Sequence, residues 1–182
     1  MTEIDPNLQP ASASVAEHRA AAPESVRCAI LTVSDTRTEA TDKSGALTKE
    51  LLRAAHHPVV AYRIVPDEPD RIRPLLESWA ADPNVQAIIS NGGTGIAARD
   101  TTYEVVDRMV EKKLDGFGEI FRMLSYEEVG AAAILSRAVA GAVGAKFIAS
   151  LPGSRNGVRL AVEKLLVPEI SHIVFELKKG VD

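Results

Sequence analysis

Apolar runs of strand length occupy residues 26–33, 59–65, 85–89 and 146–150. Each is followed by a segment whose apolar positions fall three and four apart. In 43–55 these are Leu47, Leu51, Leu52 and Ala55, the spacing of one helix face. Helical spacing also predicts helices over 70–81, where Pro74 is tolerated only in a first turn, and over 101–112, where Thr101 and Glu104 match a capping box. Two more helices are predicted over 116–127 and 130–139. Ser154 is placed to cap a last helix with the apolar face Val158, Ala161, Val162, Leu165 and Leu166. Pro168 is expected to stop that helix, and 173–177 reads as a short final strand.

Strand–helix alternation implies an α/β protein with a mainly parallel sheet covered on both faces. Such sheets bind ligands beyond the carboxyl ends of their strands. The segments there are Ser34-Asp35-Thr36-Arg37, Pro66-Asp67-Glu68, the glycine-rich run 90–100, and Leu151-Pro152-Gly153-Ser154. Parallel strands would place all four on one rim.

Length and composition narrow the picture. The chain has 182 residues, 46% of them hydrophobic, enough for one domain with a sizeable core over 26–182. Residues 1–25 are rich in Ala, Ser and Pro without a sustained period, and read as a disordered tail. Glu3 and Asp5 stand where a secretory leader carries positive charge. Cys28 is the only cysteine and no apolar run reaches membrane-spanning length, which favours the cytoplasm and no membrane partner. A net charge of −4, 4% aromatics and no basic cluster argue against nucleic-acid binding.

Candidate chemistry concentrates in the third rim segment. Gly92, Gly93, Thr94 and Gly95 let the backbone approach a ligand closely, and exposed N–H groups in such a turn attract phosphate oxygens. Arg99 offers a cation and Asp100 a carboxylate. Asp67 and Asp100 each stand before a predicted helix, so each also reads as an N-cap. Sharing a rim, the two carboxylates could instead hold Mg²⁺, a hard cation that keeps several waters. Asp42-Lys43-Ser44-Gly45 opens the 43–55 helix, a plain helix start or a place for an anion at Lys43. Gly93-x-Gly95-x-x-Ala98 formally matches a dinucleotide fingerprint, but it follows the third strand rather than the first, and no acidic residue ends a later strand at the required distance. No Gly-Lys-Ser or Gly-Lys-Thr makes a P-loop. The four histidines show no metal-ligand spacing.

Taken together, Thr32-Val33-Ser34-Asp35, Asp42 to Gly45, Val65-Pro66-Asp67-Glu68, Gly92 to Gly95 with Arg99-Asp100, Gly116-Phe117-Gly118-Glu119, Leu135-Ser136-Arg137-Ala138 and Leu151 to Ser154 resemble the molybdenum cofactor biosynthesis B/Mog family. This is the molybdopterin-binding fold, similar to the gephyrin G domain. The resemblance covers roughly 27–172, and the stretch 121–128 with Leu-Pro-Gly-Ser points to the B branch. It implies a three-layer α/β/α sandwich, a homotrimer or dimer of trimers, and a molybdate-insertion protein as a further partner. It also implies adenylyl transfer from Mg·ATP to the terminal phosphate of molybdopterin. By the same resemblance, Asp67 and Asp100 carry metal binding and catalysis. Ser34, Asp35, Asp42, Lys43, Ser44, Gly45, Gly92, Gly93, Thr94, Gly95, Arg99, Ser125, Pro152, Gly153 and Ser154 line the substrate site. A non-catalytic pterin-binding paralogue is the other reading. His56-His57-Pro58 departs from the family by removing the glycine that ends the first core helix.

Overall fold

The computed structural model describes residues 13–179. Six strands form one sheet: β1 (Cys28–Val33), β2 (Val59–Val65), β3 (Ala87–Asn91), β4 (Lys112–Lys113), β5 (Val139–Val143) and β6 (Lys146–Leu151), in the spatial order β2-β1-β3-β6-β5-β4. The β2, β1, β3 and β6 strands run parallel, while β5 and β4 are antiparallel additions at one edge. β1, β3 and β6 are buried on both faces, which is why they read as continuous apolar runs.

Period-two alternation splits each central strand between two cores. Cys28, Ile30, Ile89, Phe147 and Ala149 face one side; Ala29, Leu31, Val33, Ile88 and Ile148 face the other. The first side is covered by α2 (Lys43–Ala54), α5 (Asp115–Val129), α6 (Arg155–Ala161) and α7 (Val167–Lys178). The second is covered by α3 (Pro69–Ala81) and α4 (Thr102–Met109). The result is the expected three-layer sandwich with a mainly parallel sheet. No helix among the described residues is long and apolar enough to cross a membrane.

Several local expectations are corrected. Residues 130–139 do not form an α-helix: 130–135 is a 3₁₀ segment and Val139–Val143 is β5, which pairs with β6 through a tight turn with Gly144 at φ 55°. Residues 173–177 belong to α7 rather than a strand, and Pro168 does not stop the helical run. After Ala161 the chain passes through a π-helical turn (Val162–Leu166), and Pro168 enters α7 in its first turn, where a missing N–H is tolerated. Pro74 lies in the second turn of α3 rather than the first, on its exposed side. Of the segment expected as a disordered tail, residues 1–12 lie outside the described residues. Residues Ala13–Ala21 form α1, which packs on α7 through an Arg19–Glu169 ion pair and a His18–Glu176 contact of 3.0 Å.

Candidate active site

Because β1, β2, β3 and β6 are parallel, the segments that follow them converge on one rim. The loop after β3 is the centre. Gly92 has φ 98° and Gly93 φ 63°, a left-handed backbone that favours glycine. Space imposes the same choice: a Cβ on Gly92 would run into the Val33 carbonyl, and one on Gly93 would strike Asp67 and Thr102. The Gly92 N–H donates to Leu151 O (3.0 Å) and Gly93 O accepts from the Thr102 N–H (3.0 Å), which ties the loop to β6 and to α4. The N–H groups of Gly93, Thr94 and Gly95 meet no acceptor among the described residues. The loop lines a cavity of about 420 Å³ together with Ser34, Arg37, Asp100, Pro152 and Gly153.

Asp67 and Asp100 flank this loop, and neither caps the helix that follows it. The N-cap of α3 is Glu68, without a side-chain cap bond. The Asp67 side chain is buried against Gly93, where its Oδ1 accepts from the Thr101 N–H (3.1 Å), the Thr101 hydroxyl (2.7 Å) and the Thr102 hydroxyl (3.3 Å). Asp100 lies against Gly95, and its Oδ2 accepts from the Ala97 N–H (3.1 Å). The Thr101–Glu104 capping box does not form. Thr101 donates to Asp67 instead, and Glu104 pairs with Arg137. Arg137 also donates to Gly95 O (3.0 Å) and stacks over Tyr103, so it anchors the far end of the loop.

The remaining rim residues divide into two groups. Asp42 caps α2 through the Gly45 N–H (3.0 Å) and accepts from the hydroxyls of Thr32 (2.5 Å) and Tyr62 (2.6 Å). Burial pushes its carboxyl up, but these three donors and Arg37 outweigh burial and hold it below the ordinary carboxylate range. A Cβ on Gly45 would strike the Asp42 carboxylate and Thr32, so that glycine is what lets α2 start so close to β1. Ser44 donates to Gly153 O (2.7 Å), and Arg37 bridges Gly153 O (3.0 Å) and Ser44 Oγ (3.1 Å). These contacts fasten the β1 and β6 loops together beside the cavity.

The second group points elsewhere. Arg99 forms a two-pronged pair with Asp35 (2.9 and 2.8 Å) and reaches Glu68 (3.5 Å). That guanidinium, and then the Asp67 N–H at 3.0 Å, hold the Asp35 carboxyl below its usual value. Lys43 is exposed at the start of α2. Ser125 donates to Phe121 O (2.8 Å) and, with Ser154, lines a neighbouring cavity of about 260 Å³. Leu135 and Pro152 line both cavities. Ser154 caps α6 as expected, accepting from the Gly157 N–H at 3.1 Å.

Sequence reasoning placed Arg37 and Arg137 in motifs without giving either a role, and passed over Thr102 as a site residue. For Arg137 the signal was its place in Leu135-Ser136-Arg137-Ala138. Nothing local marks Thr102, whose role depends on Asp67 arriving from a different strand.

These features define an α/β domain with a glycine loop at its strand ends, flanked by two carboxylates. The chain belongs to the family described as "Probable molybdopterin binding domain", whose model matches residues 29–172. It is 53% identical over 167 residues to the molybdenum cofactor biosynthesis protein B of Halalkalibacterium halodurans, covering 91% of this chain and 98% of that one. A crystal structure of a molybdenum cofactor biosynthesis protein B superposes with a TM-score of 0.84 at 50% identity, over 87% of this chain and 99% of that one. The tungsten cofactor synthesizing protein MoaB from Pyrococcus furiosus superposes with a TM-score of 0.76 at 36% identity, over 87% of this chain and all of that one.

Proposed function

We propose that this protein acts in molybdenum cofactor biosynthesis, binding molybdopterin and transferring AMP from Mg·ATP to its terminal phosphate. The observation that carries this reading is the placement of Asp67 against Gly93 and Asp100 against Gly95, on either side of amides that meet no acceptor among the described residues. A pure phosphate binder needs the amides; two carboxylates beside them would repel the ligand unless a cation sits between.

The donor set suits Mg²⁺. Asp67 commits Oδ1 to three donors and Asp100 commits Oδ2 to one, so each carboxylate keeps one oxygen without a protein donor among the described residues. Mg²⁺ takes carboxylate oxygens and completes its shell with water and phosphate oxygens. Mg²⁺ held there would neutralise charge on the triphosphate.

The nucleophile is a phosphate oxygen, anionic at neutral pH, so no base is required to activate it. That oxygen forms a bond to the α-phosphorus of ATP as the bond from that phosphorus to the bridging oxygen breaks, and pyrophosphate leaves with the electron pair. The chain's part is positioning and charge compensation. The N–H groups of Gly93, Thr94 and Gly95 hold the pterin phosphate. Arg37 and Ser44 keep the Gly153 loop against them, and Thr101 and Thr102 fix Asp67. Replacing Asp67 or Asp100 by Asn tests this division of labour. Pyrophosphate release should fall by more than about 10²-fold while molybdopterin still binds. Equal loss of binding and turnover would instead make the aspartates structural and favour the non-catalytic reading.

We also propose that the protein works as a homo-oligomer, a trimer or dimer of trimers. Ile120, Met123, Tyr126 and Val129 leave an apolar stripe exposed on α5, which continues into Ile134 (85% exposed) and Leu135. Leu135 also lines both cavities, so a second copy seated on this stripe would border the site.

A further inference from the structure

Away from the rim, α1 and α7 bring together three metal-ligating side chains that the proposed reaction does not use. His18, His172 and Glu176 each offer one ligand atom, and these atoms lie within 4.8 Å of one another. His172 and Glu176 are four residues apart on α7, so they share a helix face. His18 arrives from α1, with Nδ1 3.0 Å from Glu176 Oε1. None of the three lines the glycine-loop cavity.

We propose that His18, His172 and Glu176 bind one divalent transition-metal ion of the zinc class, which fastens the N-terminal helix to the C-terminal one. Two imidazoles and a carboxylate are the donor set such ions take, with a fourth position left to water. The surroundings are arranged as around a metal-bound histidine. Glu169 Oε2 sits 3.0 Å from His172 Nδ1, placed to accept a hydrogen bond from its N–H. That fixes the tautomer and leaves the Nε2 lone pair toward Glu176, 3.6 Å from its Oε1. Arg19 in turn pairs with Glu169, so the supporting carboxylate is itself held across the same helix contact.

One cation competes for the site. Lys179 Nζ lies 2.6 Å from Glu176 Oε1 and 3.5 Å from His18 Nε2. Metal binding must displace this ammonium, which on its four-carbon stem can swing to solvent. The site is therefore one whose affinity should rise when Lys179 is removed, an effect opposite in sign to that of losing a ligand.

The test titrates the full, untagged, chelator-stripped chain with Zn²⁺ alone, read by calorimetry, and with Co²⁺, read by its visible absorption. The expected result is one ion per chain. Affinity should fall at least tenfold in His18→Ala and in His172→Ala, fall about tenfold in Glu169→Gln, and rise in Lys179→Met. Circular dichroism on each variant establishes that the fold is kept, and Lys179→Met removes no ligand, so its gain cannot come from unfolding. Absence of uptake at micromolar Zn²⁺, equal uptake in the histidine variants, or unchanged binding in Lys179→Met would overturn the proposal. So would uptake lost in Asp67→Asn or Asp100→Asn and kept in the histidine variants, which would place the ion at the rim.

Discussion

Asp42 carries more of the site than any residue that touches the cavity. Its carboxylate is buried, starts α2, and takes hydroxyl donors from β1 and β2, so three elements are referenced to one side chain. Asp42→Ala removes a helix cap and leaves the buried Thr32 hydroxyl and the half-buried Tyr62 hydroxyl without their acceptor. The expected cost is about 2–4 kcal/mol, read from urea unfolding. Its carboxyl sits below the ordinary value in the folded state, so its stabilisation is complete above the unfolded value of about 3.9. It is lost as pH falls through the folded value. The acid-side decline in stability should therefore be shallower in Asp42→Asn than in the wild-type chain. At Gly93, a Cβ would have to displace Asp67 or Thr102 while the backbone holds φ 63°. Gly93→Ala should lower the rate of AMP transfer by about 10²-fold, measured as kcat, because it moves the carboxylate rather than removing it. Asp42 and the glycines were legible in the sequence because caps and close backbone approaches have local signatures. The two-pronged hold of Asp35 on Arg99 was not, since that pairing depends on which loops become neighbours.

Helices α2 and α7 show where local rules succeed and where the fold overrides them. The sequence places α2 within a residue of its ends, and its missing glycine stop has a visible consequence. His56 takes φ 63°, the only non-glycine at positive φ among the described residues. Restoring glycine should relieve a left-handed β-carbon, and His56→Gly is expected to raise stability by about 1 kcal/mol, measured as a shift in the urea midpoint at unchanged slope. The end of the chain was misread because Pro168 was taken as a terminus. The π-turn at 162–166 lets the chain continue past it, and Ile170, Ile173, Val174 and Leu177 then fall on one helical face. The β5 strand was missed for another reason. Its residues Val139-Ala140-Gly141-Ala142-Val143 are small and carry no alternation, because the strand is buried and Gly141 packs directly on the Lys112 backbone. The strands with branched side chains were legible; this one is specified by its neighbours.

The proposed assembly and the proposed chemistry meet at Leu135, which belongs both to the exposed apolar stripe and to the cavity wall. A charge on that stripe should separate the copies. Met123→Glu is expected to sediment as a monomer at concentrations where the wild-type chain does not, with the far-UV spectrum unchanged. The arrangement of four strand ends on one rim was legible from strand–helix alternation alone. Adenylyl transfer is the claim on which the rest of the functional account depends. The most direct test is a single-turnover reaction of the purified protein with molybdopterin and ATP labelled at the α-phosphate, with and without Mg²⁺. The expected result is label on the pterin, one pyrophosphate released for each label transferred, and neither without Mg²⁺. Molybdopterin bound tightly with no label transferred and no pyrophosphate released would contradict it.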